Sequence, residues 1–429
     1  MKVNVNIVNE YTRELSIDIP WLELESDFNN VIKKFSKKVK IPGFRAGKMP
    51  KDMLLKQYLP NIEAEFMEQN FQKYYLLAIQ NENLVPINQA EISDVNFHQN
   101  ENFSFKAIFE IEPELVLPKL KKNSLKVQKT RYIHDDQDVE DAILQLRKAH
   151  ATITSVDDGA KEGDYLVCSL QKLDETGLPI IGKKFDQQYL RVGNGSFTDD
   201  QKDKLIGLKP DETAKVNLSI GQENEKADYE LVVSKVEREN LPEINTEFFK
   251  LINPDLKSVD ELKTDVKQKI ESNFEERSQQ AYERDLSDSV INFVNPKFSP
   301  SMVENYLSNL VEDVKKQNNG EPLDEDKVRE HYKTLAERNV KWYSIRKTLI
   351  EDQGISVTKE ELESELEKLI QRTPNSEKEI RKFYKKPSNR QRIEDDLVEK
   401  KILEYLEQFA KVKDVEVNTK ELRKEQNAY

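Results

Sequence analysis

The sequence predicts a multidomain α+β chain: an N-terminal α/β region, a small antiparallel β domain and a long all-α C-terminal region. Three observations predict it. At 429 residues the chain is long enough for two to four domains. The spacing of its apolar residues changes along the chain from mixed, to two-residue, to helical. Charged residues make up 34% and hydrophobic residues 37%, too polar for one compact ball and too regularly apolar for disorder, so an elongated, surface-rich helical body fits. The expected boundaries are 1–112, a linker with a short helix at 113–150, then 151–240 and 241–429.

In the first region Val3, Val5 and Ile7, then Leu15, Ile17 and Ile19, alternate as two strands joined around Asn9-Glu10. Phe103, Phe105 and Ile111 place a later strand in the same sheet. Between them Phe28, Val31, Ile32 and Phe35 recur at helical spacing, as do Ile62, Phe66, Phe71, Tyr74 and Tyr75. The connection from Lys40 to Pro50 carries Pro42, Gly43, Gly47 and Pro50, which predicts an exposed loop. Pro113 and Pro118 close the region, and a short amphipathic helix follows from Asp135 to His150, with Val139, Ile143 and Leu146 on one side.

The middle region reads as strands: Tyr165 to Leu170, Gln188 to Val192, Ala214 to Ile220 and Asp228 to Val236, punctuated by Asp174-Glu175-Thr176-Gly177 and Gly193-Asn194-Gly195. After Pro242 the chain turns almost wholly helical. Ser258 with Glu261 predicts a capping box before Val259, Leu262, Val266, Ile270 and Phe274, a stripe running to about Val294. The same start signal recurs as Ser301 with Glu304, Thr358 with Glu361 and Ser376 with Glu379, and stops are expected at Asn318-Asn319-Gly320 and Gly354. The stripes include Tyr306, Leu310, Trp342, Tyr343, Leu349, Phe383, Tyr384, Ile402, Leu406 and Phe409, more apolar surface than a short-loop bundle of this polarity seals.

Several function classes fall away. No apolar run approaches the roughly 18 residues of a membrane span, and the start alternates like a strand rather than a signal-peptide core, so a cytoplasmic protein with no membrane partner is expected. The single Cys168 excludes an intrachain disulfide framework and reads as strand packing, while His98, His134, His150 and His331 are too scattered for a zinc site. No metal or cofactor is expected. Gly193-x-Gly195 lacks the later glycine and lysine of a phosphate loop, and acids on exposed helix faces offer no convergent pair, so no catalytic residue is assigned.

Charge points the other way at one place. The chain carries a net −13, yet Lys33, Lys34, Lys37, Lys38, Lys40, Arg45, Lys48, Lys51 and Lys56 face the single acid Asp52 between Lys33 and Tyr58. Within that island, glycines free the backbone to project Phe44 and Arg45. A guanidinium fork and an ammonium meet phosphate oxygens or acidic side chains, and an exposed aromatic supplies an apolar anchor.

The string Gly43-Phe44-Arg45-Ala46-Gly47-Lys48-Met49-Pro50, between two helices of an N-terminal α/β domain, resembles the ribosome-docking signature of trigger factor, the bacterial ribosome-associated chaperone. The resemblance extends over the whole chain in length and domain order, with a middle domain similar to FK506-binding proteins. It implies an ATP-independent chaperone that binds nascent and unfolded polypeptides at the tunnel exit. Gly43, Phe44, Arg45, Gly47, Lys48 and Pro50 would hold it on the large ribosomal subunit, against a tunnel-rim protein and ribosomal RNA. It also allows a homodimer off the ribosome. The C-terminal helices would form arms around a cradle, with Tyr343, Leu349, Tyr384 and Phe409 as candidate client contacts.

The middle domain departs from the pattern. By the resemblance, Phe185, Asp186 and Leu205 are remnants of a prolyl isomerase pocket, a site that works by shape and desolvation. The stretch after Gly195 should read roughly Val-Ile-Pro-Gly-Phe-Glu, but this chain has Phe197-Thr198-Asp199-Asp200-Gln201-Lys202. The flap between Ile220 and Asp228 is short, and Leu170 replaces an expected aromatic. Activity that is weak or lost is expected. Two alternatives stand beside the chaperone reading: a peptidyl-prolyl cis–trans isomerase acting on folding chains, and a helical scaffold with a fixed partner.

Overall fold

The computed structural model describes residues 1–39, 47–174, 176–193, 200–219, 226–318, 323–373 and 376–426. The chain divides into two compact units, residues 1–128 with 281–413, and residues 129–280 with 414–429.

The first unit opens with β1 (Lys2–Ile7), β2 (Thr12–Ile19), α1 (Trp21–Lys38), α2 (Lys51–Asn81), β3 (Glu91–Asn96) and β4 (Phe103–Glu110). The strands form an antiparallel sheet in the order β1-β2-β4-β3. Alternation decides its faces: Leu15, Ile17 and Ile19 on β2, and Phe103, Phe105, Ala107 and Phe109 on β4, are buried, and the residues between them are not. Helices α1 and α2 supply the opposing apolar stripes. Phe66 stacks on Phe97 at 4.3 Å and meets Phe28 edge-on at 5.6 Å. Asp27 ties the two helices together, accepting from Lys73 Nζ at 2.5 Å and Tyr74 Oη at 2.8 Å. Strand β3 has no counterpart in the sequence reading, because Ile92 is its only inward apolar residue and its pairing shifts register between Ser93 and Asn96.

The chain continues through β5 (Leu125–Ile133), α3 (Asp136–Ala149), β6 (Thr152–Val156), β7 (Tyr165–Leu173), β8 (Pro179–Arg191), α4 (Asp200–Leu205), β9 (Thr213–Ser219), β10 (Lys226–Asn240) and α5 (Thr246–Ile252). In the second unit β6, β10, β7 and β8 form one antiparallel sheet in that order, with β9 also pairing β10. Leu166, Cys168, Leu170, Leu231 and Val233 fill its core. Burial pushes the Cys168 thiol up to about 12, in keeping with a packing role. Asp135 and Asp138 build a reciprocal capping box on α3.

The rest comprises α6 (Val259–Val294), α7 (Pro300–Gln317), α8 (Glu325–Gln353), α9 (Lys359–Arg372), α10 (Glu377–Phe383), α11 (Pro387–Glu407), β11 (Ala410–Asn418) and α12 (Thr419–Gln426). In the first unit Leu286 and Val290 of α6 pack with Ile345 and Leu349 of α8 and Ile402 and Leu406 of α11. Val303 and Leu307 of α7 meet Ala336 and Val340 of α8, and Leu362 and Leu366 of α9 meet Ile393 of α11. Strand β11 interrupts the expected run of helices by pairing β5. In the second unit, Arg423 of α12 forks onto the Asp135 carboxylate at 2.6 and 2.7 Å, at the start of α3.

Two of the four expected helix starts form differently. Thr358 and Glu361 make a full capping box, and Ser258 Oγ accepts from Glu261 N–H. Helix α7, however, is capped two residues earlier than Ser301, with Ser299 as N-cap and Pro300 at its first position, where a missing N–H costs nothing. Ser376 flanks α10 without a side-chain cap bond. Gly354 ends α8 in the left-handed region at φ 62°, as expected, whereas Asn318 ends α7 at φ −82°.

Candidate functional site

The basic connection is built at its base by three devices. Helix α1 turns Leu24, Phe28, Val31, Ile32 and Phe35 into the core, which leaves Lys33, Lys34, Lys37 and Lys38 exposed near its C-terminal end, where cations suit the helix dipole. Gly47 adopts φ 75° and donates its N–H to Ser36 O at 2.9 Å, returning the chain to α1. Met49 is buried and Pro50 is the N-cap of α2, while Lys51 Nζ donates to Asn29 Oδ1 at 2.6 Å. Both feet of the connection are therefore fixed to a packed core.

Lys48, Lys51 and Lys56 are exposed at the start of α2, beside those of α1. Lys38 pairs with Glu65 at 3.4 Å, and Lys33, Lys34, Lys37, Lys48 and Lys56 form no ion pair among the described residues. An array of such ammonium groups on the facing ends of two consecutive helices attracts polyanions in a salt-dependent way. Of the expected docking residues, Gly47, Lys48 and Pro50 stand here; Gly43, Phe44 and Arg45 lie outside the described residues.

The four candidate client contacts separate. Tyr343 is 51% exposed on α8. Leu349 is 2% exposed and sits in the core with Val290, Ile345 and Ile402, so its assignment as a surface contact is corrected: six residues along a helix is a rotation of about 240°, which carries it off the face of Tyr343. Tyr384 and Phe409 are half-buried, packed on the α9–α11 and α6–α8–α11 cores. Phe383, adjacent to Tyr384, is 50% exposed and is the residue the stripe presents outward. Trp342 faces inward, donating Nε1–H to Glu399 at 2.9 Å.

Two of the three remnant pocket residues share the core of the second unit and the third turns outward. Phe185 packs on the second unit's core beside Tyr229, with ring centroids 6.3 Å apart, while Asp186 is exposed and pairs with Lys184 at 2.8 Å. Leu205, at the end of α4, is fully buried in that core and offers no pocket wall. Gly195, Phe197, Thr198 and Asp199 lie outside the described residues.

Residues 1–146 match the family model described as bacterial trigger factor protein, and residues 258–408 match the model of the trigger factor C-terminus. The chain belongs to the trigger factor family. The trigger factor of Carboxydothermus hydrogenoformans is similar at 27% identity, covering 96% of this chain and 100% of its own. That of Prosthecochloris aestuarii is 28% identical over 87% of this chain and 88% of its own, and that of Bdellovibrio bacteriovorus 24% identical over 97% and 98%. A solved trigger factor chaperone aligns with 95% of this chain and 99% of its own at 20% identity, with a TM-score of 0.43.

Membership in the family makes the chain a ribosome-associated chaperone. No helix among the described residues is long and apolar enough to cross a membrane.

Proposed function

We propose that this chain docks on the large ribosomal subunit through Gly43, Phe44, Arg45, Gly47, Lys48 and Pro50, and there holds nascent and unfolded polypeptides without ATP. The observation that carries the reading is the fixed base of the α1–α2 connection: Gly47 and Met49 anchor it to α1 and the packed core, and the lysines beside it, Lys38 apart, form no ion pair among the described residues, in a chain of net charge −13. Such a basic island gives directed attachment to a tunnel-rim protein and ribosomal RNA rather than general nucleic-acid coating. A chaperone docked in this way would work in the cytoplasm. Off the ribosome, a homodimer is proposed as a second state.

Client holding is proposed for the exposed aromatics of the helices, Tyr343 and Phe383, with the half-buried Tyr384 and Phe409 beside them. Each such contact is weak and the charged residues between them keep release easy. Prolyl isomerisation is proposed to be weak or lost, because Leu205 is committed to the core and Asp186 faces Lys184. The deciding experiment is cosedimentation with purified ribosomes. Binding lost on replacement of Phe44, Arg45 and Lys48 by alanine supports the docking assignment, and unaltered binding overturns it.

A further inference from the structure

The N-terminal sheet of the first unit leaves an apolar groove against its own helix. The groove lies between the C-terminal half of α2 and the chain entering edge strand β3, with a volume of about 390 Å³. Phe71, Tyr75, Leu76 and Ile79 form its helical wall, a stripe at i, i+4, i+5 and i+8 that turns one face toward Ala90 and Ile92. Ile79 and Tyr75 belong to the packed layer, where Tyr75 meets Phe109 edge-on at 5.9 Å, while Leu76 remains 45% exposed.

Three features define what would fill it. All ten lining residues are uncharged, in a chain whose residues are 34% charged, so the groove favours neutral, apolar groups and disfavours ions. The Tyr75 hydroxyl is buried without a hydrogen-bond partner among the described residues, so this ring offers the groove its carbon face and no free polar group. Among the described residues strand β3 pairs only β4, which makes it an edge strand whose outer backbone groups lie open beside the groove. The register shift after Ser93, with Asp94 at φ 51°, limits that open edge to a few residues.

We infer that this groove is a docking site for an extended, uncharged polypeptide segment, which adds a short strand to β3 and sets an apolar side chain against Phe71, Tyr75 and Ile79. A strand laid along an edge beside a helix gains main-chain hydrogen bonds from the edge and side-chain selectivity from the groove. The short edge and single apolar slot make the contact weak and reversible. Asn305 of α7 donates to Ile87 O at 3.2 Å, so the groove opens next to a helix of the C-terminal region within the same unit. The inference rests on the chaperone reading and adds to it a client contact on the ribosome-docking domain, away from the basic connection.

The test uses the full-length chain and a dye-labelled decapeptide alternating Val and Ser, with binding read by fluorescence anisotropy and folding by thermal melting. Leu76→Lys places a charge in the groove at an exposed position and is expected to weaken binding about tenfold. Gln72→Glu, on the exposed rim, is expected to act in the same direction. Leu77→Lys, one residue away but outside the lining, controls for added charge and is expected to leave affinity unchanged. Tyr75→Phe keeps the ring that lines the groove and is expected to leave binding unchanged while melting temperature holds or rises, since the buried hydroxyl it removes has no partner among the described residues. Equal affinity of Leu76→Lys, Gln72→Glu and the unmodified chain overturns the inference. So does a change in sedimentation of Leu76→Lys without a change in peptide affinity, which would assign the groove to a second copy of the chain. Suppression of aggregation of a denatured client is measured alongside. If the unmodified chain fails to suppress it, the chaperone reading itself falls; if it succeeds while the groove variants bind the peptide normally, the groove alone falls.

Discussion

The Glu110 carboxylate at the end of β4 caps helix α7, accepting hydrogen bonds from Ser299 Oγ and, at 3.0 Å, from Ser301 N–H. It does for α7 what a serine or aspartate at the N-cap usually does, but from a strand 189 residues away in sequence. Burial alone would raise the Glu110 carboxyl; the bonds from Ser299 and Ser301 outweigh it and hold it below the usual carboxylate range. Asn305 on Ile87 and the 2.8 Å pair between Lys347 and Glu112 reinforce the same junction.

Glu110→Gln is expected to cost about 1–2 kcal/mol, the range of a lost charge-assisted cap. The folded-state value is lowered, so this contribution is fully present above the unfolded carboxyl value of about 4.5 and disappears as pH falls through the folded value. Thermal melting of the two proteins at pH 7 and at steps down to pH 3 should show a gap that narrows with acid. A gap independent of pH would mean that Glu110 acts through packing alone.

That junction also shows why only part of the architecture is legible in the sequence. Alternation at Leu15, Ile17, Ile19, Phe103 and Phe105 exposes the N-terminal sheet because one face is buried and the other wet. Ser301-x-x-Glu304 misleads because a local capping signal says nothing of a carboxylate that arrives from another element. Strand β11, Ala410–Asn418, is mostly exposed and gains its partner β5 only on folding, so few of its side chains carry a burial pattern. At the helices a stripe marks which residues are apolar, but not which of two apolar faces finds a neighbour; Tyr343 and Leu349 read alike and end on opposite sides of that division. The Tyr75 groove left no motif at all, since its distinguishing property is absence of charge where a helix face meets the chain that follows it.

Replacing Phe44, Arg45 and Lys48 by alanine is expected to abolish ribosome cosedimentation while leaving thermal unfolding nearly unchanged, because the core under the connection rests on Met49, Phe35 and Leu54 instead. In the unmodified protein binding should weaken as salt rises, since lysine–phosphate contacts release counterions. A flat salt response would leave the apolar anchor as the sole source of affinity.

The full chain is expected to turn over a short proline peptide far more slowly than an ordinary FK506-binding domain. With Leu205 buried and Asp186 paired to Lys184, the described part of the domain presents no desolvated slot for a twisted amide. A protease-coupled isomerisation assay decides it, and turnover comparable to such a domain would mean that the segment from Gly195 to Lys202 completes a pocket by itself.

The helices offer the sharpest contrast. Tyr343→Ser combined with Phe383→Ser removes two half-exposed aromatics, so thermal melting should shift little while retention of a denatured client falls by about an order of magnitude, each contact contributing about 1 kcal/mol or less. Leu349→Ala removes a side chain packed among Val290, Ile345 and Ile402 and should cost about 2–5 kcal/mol, because the cavity left between three helices cannot fully collapse. Its effect on client retention should appear only where the helices begin to melt. Circular dichroism melting run beside aggregation suppression separates the two kinds of residue. A double serine variant that unfolds early would place Tyr343 and Phe383 in a packed interface, and one that melts normally with full client retention would move the holding surface elsewhere on the chain.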